Sequence, residues 1–196
     1  MSSNFFNSNS YFIDEKVNFF KFANAYRIYN DQGIEIGAVK QRLTTGQKLL
    51  RLVLNKAMLP FQLEIINGND EVEAVISRGW TFFMSKISIK DALGNKLGSI
   101  QQKFKFFKPT FRIFNNNDEQ VAVITGDWKA WNFVIKDSGE AEIGTITKKW
   151  AGVMKEVFTT ADKYNVSIDP SYSNIENKIA ILSGAITIDM VLKESK

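Results

Sequence analysis

Five stretches of this chain repeat one another as strand, turn and returning strand, and a repeat of that kind restricts the fold more than any other feature. The units open at Tyr26, Leu63, Ile87, Phe111 and Phe133. Their first strands carry apolar residues two apart, as in Leu63/Ile65, Ile87/Ile89, Phe111/Ile113 and Phe133/Ile135, which is the period of a strand buried on one face. Turn residues follow at once: Asn30-Asp31-Gln32-Gly33, Asn67-Gly68-Asn69-Asp70, Asp91-Ala92-Leu93-Gly94-Asn95, Asn115-Asn116-Asn117-Asp118 and Asp137-Ser138-Gly139. Such residues tolerate positive φ or form side-chain turns. An acidic, Asn-rich loop can also ligate Ca²⁺, but five copies at equivalent hairpin positions point to turn geometry.

The returning strands add a second regularity, a small residue two positions before a β-branched one with a bulky apolar residue four further on. Ala74…Ile76…Trp80, Gly98…Ile100…Phe104, Ala122…Ile124…Trp128 and Gly144…Ile146…Trp150 show it, with Gly37…Val39…Leu43 as a weaker first copy. All of these positions share one strand face. Ile and Trp mark that face as buried, so the small residue either leaves room for something packed on the wall or marks a bulge. Ile76, Ile100, Ile124 and Ile146 are 24, 24 and 22 residues apart. That spacing describes a hairpin array with no helix between strands, and a βαβ sheet is disfavoured.

The pattern stops at Asp169-Pro170. Ser173 with Glu176 fits a capping box, and Ile179 to Leu192 is apolar on every side except at Ser183, Thr187 and Asp189. A helix of that kind has to be surrounded. A bilayer span needs about 20 apolar residues, and this run is shorter and contains an acid, so the segment from about Ser173 to Lys193 reads as the protein's own core. Asp189 is expensive to bury ionised without a partner. It reads as a structural acid near the barrel mouth, with a catalytic carboxylate as the alternative.

Ile143-Gly144-Thr145-Ile146-Thr147-Lys148-Lys149-Trp150-Ala151-Gly152, continuing through Glu156-Val157-Phe158-Thr159 to Ala161-Asp162-Lys163-Tyr164, resembles the phospholipid scramblase family and the related plant LURP-one proteins. The Ile181-to-Leu192 segment with Asp189 inside it is similar too. The resemblance implies a tubby-like fold, mostly β, a closed antiparallel barrel of about twelve strands around a buried hydrophobic C-terminal helix. In the animal scramblases a calcium segment carries acids at loop positions one, three and twelve. The matching residues here are Thr160, Asp162 and Ser171, and a single carboxylate is too little charge for a dedicated calcium loop. The chain also lacks the family's palmitoylated Cys residues and Pro-rich N-terminal extension, so calcium-triggered scrambling is not expected.

With no Cys and no His, the chain cannot assemble disulfides, thiol nucleophiles, or Ser-His and Cys-His catalysis. Catalysis would have to rest on carboxylates, Lys or Tyr, and pairs such as Glu140/Glu142 or Asp118/Glu119 lie at turns. No enzyme is expected, and no cofactor. The Ser/Asn-rich residues 1–10 read as a flexible segment and residues 11–196 as one barrel domain. The N-terminus shows no secretion signal, and Ser2 stands where myristoylation needs Gly. The expectation is a cytoplasmic protein, able to sit peripherally on membranes.

The net charge of +4 and sequence pI near 9.1 suit anionic partners. Lys103-Phe104-Lys105-Phe106-Phe107-Lys108 puts Lys103 and Lys105 on one strand face and Phe104 and Phe106 on the other. That is how any barrel strand keeps lysines in water. With Lys108, Lys40, Arg42, Lys148 and Lys149 it could also form a patch for anionic phospholipid headgroups. No recognition helix or RNA-binding signature supports nucleic acid. The leading expectation is a non-enzymatic scramblase/LURP-one-like binder of anionic lipid or a regulatory scaffold. The alternatives are a protein-interaction or self-associating module without lipid binding and, more remotely, a carboxylate-based enzyme.

Overall fold

A computed structural model describes residues 4–16, 25–47, 49, 59–80, 86–103, 109–127, 129–148 and 163–194. The strands are β1 (Ser10–Lys16), β2 (Ala25–Tyr29), β3 (Glu35–Arg42), β4 (Phe61–Asn67), β5 (Val72–Arg78), β6 (Lys86–Lys90), β7 (Lys96–Lys103), β8 (Thr110–Asn115), β9 (Gln120–Asp127), β10 (Asn132–Asp137), β11 (Glu142–Thr147) and β12 (Lys163–Ile168). One long helix follows, α1 (Ile175–Glu194). Each strand pairs antiparallel with its sequence neighbours, and β12 closes on β1, giving a twelve-stranded barrel. This is the closed hairpin barrel that the repeat leads one to expect and the tubby-like arrangement that the resemblance implies.

The five repeated hairpins turn in the same way. In each, an Asn or Asp side chain at the first turn position (Asn30, Asn67, Asp91, Asn115, Asp137) accepts the backbone N–H groups two and four residues on, at 2.8 to 3.1 Å. The fourth position is left-handed, at Gly33, Asp70, Gly94, Asp118 and Glu140. These side-chain oxygens therefore point at the chain's own amides, which is the turn reading.

A one-residue register shift follows Ile28, Ile65, Ile89, Ile113 and Ile135. The unpaired residue is the one just before the recurrent small residue. A Cβ on Gly37, Gly98 or Gly144 would sit 2.2, 2.4 or 2.3 Å from the carbonyl oxygen of Ile66, Phe114 or Ser167 on the next strand. The helix comes second: Ala180 Cβ is 3.4 Å from the Gly98 position. Both sequence readings of the small residue thus describe one feature.

Inward positions are almost wholly apolar, and Val39, Leu63, Ile76, Ile100, Ile124 and Ile146 are fully buried. Outward positions carry Lys40, Glu64, Lys90, Arg112 and Lys136, the inverse of a barrel that faces lipid. One expectation fails here. β5 ends at Arg78, so Trp80 does not continue the inward face and is 56% exposed. Phe104, Trp128 and Trp150 lie outside the described residues.

Helix α1 fills the barrel, packing on β5, β7, β8 and β9. Residues Ala180 to Ile186, Ile188 and Asp189 are buried. Gly184 lets it approach the wall, because a Cβ there would stand 2.7 Å from Ile113 Cδ1 and 3.4 Å from Ile124 Cδ1. Its cap is Asn174, one residue later than the expected Ser173: Asn174 Oδ1 accepts from the Asn177 N–H at 3.0 Å.

The described part of the first ten residues packs against the barrel. Asn4–Asn7 is a 3₁₀ turn whose Phe5 and Phe6 are 5% and 4% exposed, with their rings edge-on at 4.9 Å. Tyr11 Oη donates to the Phe5 carbonyl at 3.1 Å, and the Ile168 N–H donates to the Asn9 carbonyl at 2.8 Å. Two adjacent aromatics outweigh a polar local composition.

Candidate functional site

The hairpin topology places all five repeated turns at one end of the barrel, and their sequences carry only acids. These are Asp31, Asp70, Glu71, Asp91, Asp118, Glu119, Asp137 and Glu140, with no Lys or Arg within the turns. Neighbouring strands partly neutralise them through Lys40–Asp70 at 3.3 Å, Lys136–Glu140 at 3.4 Å and Lys96–Asp118. Lys96 also holds the exposed Asp118 carboxyl below its ordinary range.

At the opposite end the strands close with Arg42 on β3 and Lys103 on β7, and Lys148 follows β11. Lys129 and Lys163 join them there, and the described acids of the same end are Asp127 and, on β1, Asp14 and Glu15, Asp14 being bridged to Lys163 at 3.5 Å. Arg42 Nε donates to Glu64 at 2.8 Å. Lys148 Nζ stands 4.9 Å over the Trp131 ring, a contact that leaves the ammonium's charge in place. Lys105, Lys108 and Lys149 lie outside the described residues. The sequence between β3 and β4 contains Lys48, Arg51 and Lys56, which lie outside the described residues, and no acid.

The described cations Arg42, Lys103 and Lys148 therefore share one end of the molecule but not one patch. β3, β7 and β11 are four inter-strand spacings apart each way around the barrel, about 19 Å of wall at about 4.8 Å per spacing. Sequence cannot display that curvature. Lys40 stands apart from the rim, on a groove of about 470 Å³ in the outer wall that also takes in Arg27, Glu35 and Asp70. Arg27–Glu35 at 3.6 Å and Lys40–Asp70 at 3.3 Å leave this groove electrically balanced.

Of the degenerate calcium positions, Thr160 and Asp162 lie outside the described residues. Ser171 is engaged locally, donating its hydroxyl and its N–H to Asp169 Oδ1 at 2.7 and 2.8 Å, and these bonds lower the Asp169 pKa. Among the described residues no group of three or more acids could hold a metal ion. Glu140 and Asp118, offered as catalytic pairs with Glu142 and Glu119, sit on surface turns and face lysines.

A protein-family model described as Scramblase matches residues 14–195. The chain belongs to the Scramblase family. It is 28% identical over 119 residues to human phospholipid scramblase family member 5, which covers 57% of this chain and 44% of that protein. It is 21% identical over 154 residues to a phospholipid scramblase family protein of Schizosaccharomyces pombe, covering 72% of this chain and 40% of the relative. Human phospholipid scramblase 1 matches at 28% over 119 residues, covering 57% and 37%. The chain thus matches less than half the length of each of these relatives. A solved protein structure from Arabidopsis thaliana superposes with a TM-score of 0.53 over 93% of both chains at 7% identity, a likeness of fold. Among the described residues no helix of this scramblase-family chain is long and apolar enough to cross a membrane.

Proposed function

We propose that this chain is a non-enzymatic scramblase-family protein that binds anionic phospholipid surfaces peripherally, through the barrel end bearing Arg42, Lys103 and Lys148. The carrying observation is the segregation of charge: the five turns at one end hold only acids, while cations dominate the described rim of the other. An anionic surface attracts one end and repels the other, so the barrel docks with its axis toward the bilayer. Family membership supports the same reading. The hydrophobic helix takes no part, because the barrel already encloses it.

Co-sedimentation with phosphatidylserine vesicles and with phosphatidylcholine vesicles tests this. Binding should require the anionic lipid and weaken as salt rises. A basic residue near such a surface contributes about 1 kcal/mol. The Arg42→Gln/Lys103→Gln/Lys148→Gln variant should therefore bind about a hundredfold more weakly. Absence of binding to strongly anionic vesicles at low salt would refute the proposal.

A further inference from the structure

Asn4 to Asn9 fold over the hairpin end of the barrel, where α1 enters. Phe5 lies on the wall with its Cε2 2.7 Å from where a Gly37 Cβ would stand, its ring is 6.0 Å from that of Tyr11, and the 3₁₀ turn packs on α1. Beside it, Lys178 in the first turns of α1 is only 6% exposed. Its Nζ donates to Asn9 Oδ1 at 2.6 Å, and among the described residues no carboxylate pairs with it.

A part-buried ammonium held by a neutral amide is an incompletely compensated charge. An ionised acceptor in that place would bond it about twice as strongly. Burial also lowers the Lys178 pKa, consistent with that deficit. Glu176, the acid nearest in sequence, is exposed and forms no bridge to it. The strap thus presents two apolar rings and the Asn9 Oδ1 to a socket whose charged group is a cation, while its Phe5 and Asn9 carbonyls accept from Tyr11 Oη and the Ile168 N–H.

We propose that residues 4–9 are a displaceable plug, and that the socket beneath takes an amphipathic anion. Its apolar body replaces the Phe5 and Phe6 rings, and its anionic head replaces Asn9 Oδ1 at Lys178. This site lies at the opposite end from the proposed lipid-facing rim, and its test uses no vesicles, so either proposal can fail alone.

Amide hydrogen exchange of the full chain with sodium dodecanoate is the test, with neutral dodecyl maltoside and cationic dodecyltrimethylammonium at equal concentration as controls. Dodecanoate should speed exchange at residues 5–10 by about tenfold or more while the strands stay protected, and the controls should not. Phe6→Ala weakens the plug and should bind dodecanoate about tenfold more tightly, since apparent affinity scales with the open fraction. Asn9→Ala, which removes only the acceptor, serves if Phe6→Ala does not fold. Lys178→Met should lose the response while remaining folded. Unchanged exchange with dodecanoate, an equal response to dodecyl maltoside, or a response retained in Lys178→Met would overturn the proposal.

Discussion

Adding one methyl group at Gly184 separates an enclosed helix from an unenclosed one. On a free helix Gly→Ala is favourable by about 1 kcal/mol. Here the new Cβ would lie 2.7 Å from Ile113 Cδ1, and overpacking a core costs about 1–3 kcal/mol. Gly184→Ala should therefore be neutral to destabilising by about 2 kcal/mol. Ile113→Val removes that Cδ1 at a cost of about 0.5–1.5 kcal/mol. The nearest remaining atom is then Ile124 Cδ1 at 3.4 Å, ordinary contact. In that background Gly184→Ala should stabilise by about 1 kcal/mol, so the substitution changes sign and the coupling is about 1–3 kcal/mol. Guanidinium unfolding followed by tryptophan fluorescence measures all four corners of the cycle, and thermal midpoints should move about 2–4 °C per kcal/mol. If Gly184→Ala stabilises both backgrounds equally, the helix does not contact β8 at this point.

Glu140 holds a left-handed φ of 68°, which costs a non-glycine residue about 1 kcal/mol, and its exposed bridge to Lys136 is worth little. Glu140→Gly should raise the thermal midpoint. Lys178 has a folded pKa below its ordinary 10.5. Between those values the unfolded chain binds more protons, so this group's contribution to stability rises with pH. Denaturation of wild type against Lys178→Met across alkaline pH should show that rise only in wild type, and a difference independent of pH would contradict it. Trp80→Ser should stay within about 0.5 kcal/mol, whereas Ile76→Ala should cost about 2–5 kcal/mol, a contrast visible in denaturant midpoints.

The inner wall and the enclosed helix were legible because both signals are local. Alternation at Ile87/Ile89 and Ile100 places those residues inside, and the apolarity of Ala180 to Ile186, broken only at Ser183, leaves no face for water. The turns were legible through their first residue, since one side-chain oxygen organises each loop. What was not legible depends on where strands end and how the sheet curves. Trp80 fits the inward register but lies beyond the end of β5. Lys40, Arg42, Lys103 and Lys148 look like one basic surface along the chain, yet barrel closure spreads them around the wall. The packing of the strap was not legible because Ser and Asn around Phe5 and Phe6 dilute the apolar signal, although two adjacent aromatics in a polar segment were the available clue.

The enclosure of α1 is tested most directly by native-state hydrogen exchange at Ala180 to Ile188, alone and with anionic vesicles. If the helix is the barrel's own core, these amides exchange only through global unfolding, at the same free energy as the central strands, and vesicles leave them unchanged. Exchange faster than the strands, or protection that shifts specifically at α1 when vesicles are added, would show that the helix leaves the barrel.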